Sequence, residues 1–397
     1  MKDPFGICDV PRGFTYRIVS QVEDTMSDGL PVPPKPDGMG CFPGPDGGSI
    51  LVRNHEISAS RFTDNSSPVP GLAYDPMANG GTTTIWLDRN LNVIRQYLSL
   101  TGTIRNCSGG ATPWGTWISS EEAGGSWMLG PSWVMGERHG YNFEVDPQLP
   151  LQRVESLRAM GRFNHEAVAV DPVDGVVYQT EDDPSGCFYR FIPNEPGKLA
   201  NGGLLQALRI LDGDIMHTTR DELNKGTRYH CGWVNIEDPD PEGKDGVRNQ
   251  AQQQGAAIFV RGEGICIHAD GIYFACTSGG SAGIGQIFRY VPDRSGAGGT
   301  LELIHAMEAG NILEHPDNLT VNRWGDLIIC EDNSQPEVCL AGLTGEGHIY
   351  YIASNPGSEW CGVCFSPDGE TLFANIFDNP GMTVAISGPW EALREPS

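Results

Sequence analysis

The chain has 397 residues, with 51 Asp+Glu against 26 Lys+Arg and a formal charge of −25. So large an acidic excess repels nucleic-acid phosphate and anionic membrane surfaces, which excludes both as partners. Lys and Arg are too few to neutralise these carboxylates, so cations of another kind are expected.

The N-terminal Met1-Lys-Asp-Pro-Phe-Gly has no charged-then-apolar leader, which predicts either a cytosolic protein or a mature, trimmed form. Short alternating or apolar strands follow, broken by Gly, Pro and Asp turns: Ser49–Arg53, Thr82–Leu87, Ala167–Val170, Val176–Thr180, Cys187–Ile192, Ile272–Cys276, Gln286–Val291, Leu327–Cys330 and Gly347–Ile352. Helical periodicity is scarce, with a turn or two predicted in Leu151–Met160 and in Arg220–Lys225. The polar stretch Glu237–Gly255 reads as an excursion loop rather than a domain border. Eleven cysteines are scattered along the chain, so at least one thiol is unpaired. Cys361 and Cys364 form a C-x-x-C inside a strand pattern and read as buried thiols. No apolar run approaches the roughly 18–20 residues that span a bilayer.

A weak internal repeat organises these strands. From His165 to Asp182 the chain reads as a strand, a Gly turn and a second strand. The same plan recurs over Glu263–Thr277, Asp317–Asp332 and Glu359–Asn375, and less regularly over Gly40–Glu56 and Cys107–Glu122. Six repeats of several antiparallel strands predict an all-β fold, a six-bladed β-propeller with minor helical excursions. No composition shift marks a boundary, so residues 1–397 are expected to form a single propeller domain with loop insertions.

A hairpin returns the chain to the end from which it left. Openers of the first strand therefore lie beside closers of the second: Glu166 near Glu181 and Asp182, Asp317 near Glu331 and Asp332, Glu359 near Asn375, Glu263 near Thr277, and Cys107 near Ser120–Glu122. If these hairpins supply inner strands, Glu122, Glu166, Glu263, Asp317 and Glu359 crowd one end of one channel. Carboxylates that close cannot all stay ionised, so either some protonate or metal cations fill the centre. Oxygen ligands in this number suit Ca²⁺, Mn²⁺ or Fe³⁺ rather than zinc. Arg261, two residues before Glu263, is placed either to hold an anion such as phosphate in bidentate fashion or to pair with a ring carboxylate.

Taken with these residues, the chain resembles the PhoX family, metal-dependent alkaline phosphatases built on a six-bladed propeller. The resemblance runs through Asp3-Pro-Phe-Gly, Asp37-Gly-Met, Leu51-Val-Arg-Asn-His-Glu56, Asn106-Cys-Ser-Gly-Gly-Ala-Thr-Pro-Trp-Gly-Thr-Trp117 and Gly161-Arg-Phe-Asn-His-Glu-Ala167. It continues through Arg261-Gly-Glu-Gly264, His315-Pro-Asp-Asn-Leu319, Cys330-Glu-Asp332, Ser366-Pro-Asp-Gly369 and Gly388-Pro-Trp390. It implies a cluster of Fe³⁺ and Ca²⁺ at the channel mouth, with Cys107 as bridging thiolate and Glu122, Glu166, Glu263, Asp317 and Glu359 as carboxylate ligands. It implies that Arg261 contacts phosphate. A small-molecule phosphate ester is then the partner, the protein a monomer, and its location periplasmic or extracellular. Two positions depart from the family pattern: Ala167 stands where a Trp is expected, and no Lys lies between Asn92 and Cys107, where Arg95 and Arg105 are the only basic residues. His55, His165 and His315, beside site acids, are candidate donors to metal ligands, or are satisfied by neighbouring backbone. Two rival readings are a one-calcium propeller esterase or lactonase, and a non-catalytic binding module stabilised by metals.

Overall fold

The computed structural model describes residues 1–58, 68–123, 136–219, 223–243, 245–310, 312–333, 335–378 and 380–394. Among these residues the strands form five antiparallel sheets in a propeller-like arrangement. One sheet contains Pro36–Pro43, Ser49–His55, Gly80–Leu87 and Val93–Thr103; the next contains Asn106–Ala111, Trp117–Glu121 and Asn142–Val145. A nine-stranded sheet starts with His165–Val170, Val177–Glu181, Phe188–Pro193, Gly203–Ile210 and Arg228–Asn235. It continues through Gly299–Ala306, Gln286–Pro292 and Gly271–Cys276 to Gly262–His268. Pro316–Val321, Leu327–Glu331, Val338–Leu343 and Ile349–Asn355 make the fourth sheet. In the last, Trp360–Phe365, Thr371–Ile376 and Met382–Ser387 take Thr15–Gln21 as outer strand, so two distant parts of the chain close one sheet.

Six strands line the axis: Pro36–Pro43, Asn106–Ala111, His165–Val170, Gly262–His268, Pro316–Val321 and Trp360–Phe365. Each touches the next, and the last touches the first. Together they enclose an axial cavity of about 350 Å³. The nine-stranded sheet contributes two of them, one at each end, and its halves meet at the outside, where Arg228–Cys231 pairs with Gly299–Glu302. Apolar faces fill the gaps between sheets. Phe188 stacks on Phe274 at 4.3 Å, and Phe259 and Phe288 pack edge-on and stacked around that pair. Burial of such rings supplies most of the driving force that holds the sheets together radially.

The predicted strands are present with ends shifted by a few residues. Leu151–Met160 contains the expected turn, a 3-10 turn at Arg158–Met160, whereas the excursion Glu237–Gly255, read as a loop, contains an α-helix, Gly246–Gln253. Arg248 on that helix bonds the buried carboxylate of Glu181 at 2.6 Å, which ties the excursion to a hairpin next to the axis. The predicted turn at Arg220–Lys225 lies in part (220–222) outside the described residues. All eleven cysteines are free thiols. No helix among the described residues is long and apolar enough to cross a membrane.

Candidate metal centre

One local geometry is repeated six times around the axis. The residue before each inner strand is, in turn, Lys35, Arg105, Asn164, Arg261, His315 and Glu359. Its carbonyl accepts the backbone N–H of the residue that follows the paired second strand: Glu56, Glu122, Asp182, Thr277, Asp332 and Phe377. The second residue of each inner strand is Asp37, Cys107, Glu166, Glu263, Asp317 and Cys361. In five hairpins the register slips at this point, as between Pro36 and Met39, Asn106 and Gly109, Gly262 and Ile265, and Pro316 and Leu319; in the sixth Cys361 pairs with Asn375 and the slip comes one residue later. A bulge leaves one residue unpaired and re-aims its side chain, which explains how five hairpins deliver a ligand-type residue to the same end of the axis.

The bulges also free backbone carbonyls, and buried side chains from the preceding hairpin satisfy them. Asn54 donates to the carbonyl of Cys107 at 3.2 Å, Thr180 to that of Glu263 at 2.5 Å, and Asn375 to that of Asp37. At two of these hairpins the neighbouring inner strand approaches so closely that the next residue has no room for a side chain. A methyl at Gly264 would lie 2.6 Å from the carbonyl oxygen of Asp317, and one at Gly38 only 2.4 Å from the Ser108 Cα. Ala167 belongs to this small-residue position, and its side chain packs into the apolar core beside Phe188 and Phe274.

The geometry brings Cys107, Glu122 and Glu166 together, with one ligand atom from each lying within 4.8 Å of the others. Glu166, Glu263 and Asp317 form a second such group, so Glu166 is shared by the two. Glu359 precedes its strand rather than occupying the second position. Its backbone faces Phe377 instead of the expected Asn375, and its carboxyl reaches the Asp317 side chain. Arg261 pairs with ring acids: Nε and Nη2 donate to Asp182 at 2.8 and 3.0 Å, and Nη2 lies 3.1 Å from Glu263.

Sequence reasoning placed Asp182 beside Glu166 and Asp332 beside Asp317, but missed Asp37 and Glu56 as members of the ring and Arg105 as its second guanidinium. The signal was present: extending the Gly40–Glu56 repeat three residues upstream aligns Asp37 with Cys107 and Glu166. Arg105 meets Glu56 at 2.7 Å and also pairs with Glu122. Cys361 and Cys364 are buried free thiols, as read from the sequence, and the Cys361 Sγ lies 3.1 Å from the Pro36 carbonyl. Among the described residues the three candidate histidines satisfy neighbouring groups rather than carboxylates. His55 bonds the Pro34 carbonyl and Thr83, His165 the Gly161 carbonyl, and His315 the Thr277 carbonyl.

The electrostatics follow from burying so many acids in one place. Burial first, and neighbouring carboxylates second, push Asp37, Glu166, Glu263 and Glu359 well above the usual carboxylate range. The same causes raise Glu122 to about 8, with Arg105 opposing, and Asp317 to about 7. Burial and the surrounding acids push the Cys107 thiol up as well. Asp37 Oδ1 and Glu166 Oε1 are buried without a hydrogen-bond partner, whereas Glu263 Oε1 faces Arg261 Nη2. Buried anionic oxygens lacking donors are costly unless a cation meets them. Oxygen donors in excess, joined by one thiol, fit hard di- and trivalent ions, and the residues present are compatible with iron and calcium.

The family model described as alkaline phosphatase PhoX matches residues 1–381. The chain belongs to the PhoX family. Among solved structures, PhoX from Pseudomonas fluorescens in complex with vanadate, a transition state analogue, superposes with a TM-score of 0.76 at 18% identity, covering 96% of each chain. A structural genomics protein of unknown function from Bacteroides thetaiotaomicron superposes at 0.51 with 9% identity, covering 94% of this chain and 76% of the other. No curated protein sequence matches the chain. For this PhoX member, family membership supports a phosphatase.

Proposed function

We propose that the protein is a metal-dependent hydrolase of small phosphate monoesters, with Fe³⁺ and Ca²⁺ held by Cys107, Glu122, Glu166, Glu263, Asp317 and Glu359. In this reading the six inner strands belong to six blades, and the nine-stranded sheet is two blades joined at their outer edge. The observation that supports it is the convergence of these buried acids, with Asp37 and Glu166 each keeping an oxygen without a donor, in a chain of the PhoX family. Ions bound there would supply Lewis acidity toward the phosphoryl oxygens.

The chain's own residues do the rest. Asp182 holds Arg261 by two hydrogen bonds, which fixes the plane of the guanidinium at the mouth of the axis. So placed, Arg261 meets the equatorial oxygens as negative charge gathers on them. Asn54 and Thr180 fix the backbones of Cys107 and Glu263 so that these side chains do not drift when charge changes. An acidic protein that acts on a dianionic substrate depends on this local positive charge. The same proposal places the protein in the periplasm or outside the cell, as a monomer.

Elemental analysis of protein purified without added metal, paired with p-nitrophenyl phosphate turnover before and after EDTA, tests the proposal. Iron with several calcium ions per chain, and activity lost on chelation, are expected. Undiminished turnover by metal-free protein would overturn it.

A further inference from the structure

Seven non-glycine residues among those described have a left-handed φ, and four of them stand directly before inner strands: Lys35 (φ 56), Arg105 (φ 45), Arg261 (φ 51) and His315 (φ 48). A side chain pays roughly 1–2 kcal/mol for this conformation, so it persists where the surroundings demand it. Here it carries a basic side chain, four times over, to the rim of an acidic ring. Two of the four are committed elsewhere. Lys35 reaches Asp378 at 2.7 Å and lies over the Phe377 ring, and His315 bonds the Thr277 carbonyl. The two arginines remain, and they precede the strands on either flank of His165–Val170, the strand that carries Glu166.

We propose that Arg105 is a second substrate-binding arginine, gripping the phosphoryl group from the flank opposite Arg261. This rests on the phosphoester reading above. The two sites are built alike. Arg261 is held by Asp182 and approaches Glu263; Arg105 is held by Glu56 and pairs with Glu122. Each is thus anchored by one acid that closes a neighbouring hairpin, while touching one candidate metal ligand. A backbone bridge between Glu122 and Asn164, and the hydrogen bond from Asp182 N–H to the Asn164 carbonyl, join the two halves into one arc.

Arg105 has the freer donors. Both acids are met through Nη2, and no hydrogen bond or ion pair among the described residues engages Nη1. A tetrahedral oxyanion offers acceptors to such a donor. Planar guanidinium forks on two sides suit a terminal phosphoryl dianion, whose oxygens can be shared between them, better than a diester with two ester oxygens. The residue therefore selects monoesters and supplies positive charge from the hairpin of Cys107.

The test compares wild type, Arg105→Gln, Arg105→Lys and Arg261→Gln after metal loading. It measures iron and calcium content, inorganic phosphate affinity by calorimetry, and kcat and KM on p-nitrophenyl phosphate. For Arg105→Gln we expect unchanged metal content and phosphate binding weaker by about ten- to a hundredfold, the range of one charge-assisted hydrogen bond. Arg105→Lys, which keeps the charge but not the fork, should fall between. Phosphate affinity within twofold of wild type in both Arg105 variants, while Arg261→Gln loses it, overturns the inference and leaves the phosphoester reading standing. If Arg105→Gln loses its metals, Arg105→Lys decides: affinity equal to wild type makes Arg105 a mere counter-ion of Glu56 and Glu122. Loaded wild type that neither binds phosphate nor turns over substrate overturns both.

Discussion

Stripping the metals should make stability fall as pH rises through the neutral range. In the fold, Asp317 and Glu122 are raised to about 7 and about 8, chiefly by burial, and then by neighbouring acids. In the unfolded chain they ionise near about 3.9 and 4.3. Between roughly pH 5 and 7 the metal-free fold thus holds protons that the unfolded chain has released. Unfolding then releases protons, and raising the pH favours it. Each such group costs about 1.4 kcal/mol per pH unit, so the pair costs about 2.7 kcal/mol per unit across this window. Glu166, Glu263, Glu359 and Asp37 are raised too and act in the same direction. Below about pH 4 both states are protonated and the stability is fully present. Bound cations keep the carboxylates ionised, so the loaded protein should lack this slope. Urea melts of EDTA-treated and metal-loaded protein at about pH 5, 6 and 7 read the effect. Metal-free stability that is flat or rising over this range would refute the assignment of these acids to one buried ring.

Three further outcomes are expected. Glu166→Gln removes the carboxylate common to both candidate groups, so it should lower bound iron and calcium together, as read by elemental analysis, rather than one metal alone. Gly264→Ala puts a methyl 2.6 Å from the backbone oxygen of Asp317, which no rotamer change relieves; a loss of roughly 1–3 kcal/mol in chemical denaturation should accompany reduced metal content. Arg248→Met leaves Glu181 buried without its cation, with only the Tyr189 hydroxyl and the Cys187 N–H as donors, and should cost about 3–5 kcal/mol and lower Tm by several degrees.

The legible part of this protein was whatever its repeats wrote locally. Strand patterns and Gly or Asp turns are one-dimensional signals, and they located the hairpins and the acids that open and close them. Glu166, Glu263 and Asp317 could be singled out because the same hairpin returns in each repeat. Asp37 escaped because its copy begins three residues earlier than the apolar pattern suggested. Arg105 escaped because its acidic partners, Glu56 and Glu122, are remote in the chain and only the fold brings them to it.

The sequence by itself determined the ingredients: an all-β repeat, an acidic excess of −25, and carboxylates at recurring positions. Only tertiary structure decided how they meet. Adjacent inner strands lie so close that their bulges face one axis, which pools acids from different hairpins where water cannot screen them. The same closure set the roles of the basic residues at the rim, drawing Lys35 to Asp378 and leaving Arg105 and Arg261 on either side of Glu166. Pairing across hairpins separated by tens to hundreds of residues has no local signature, since it arises from the radial packing of sheets.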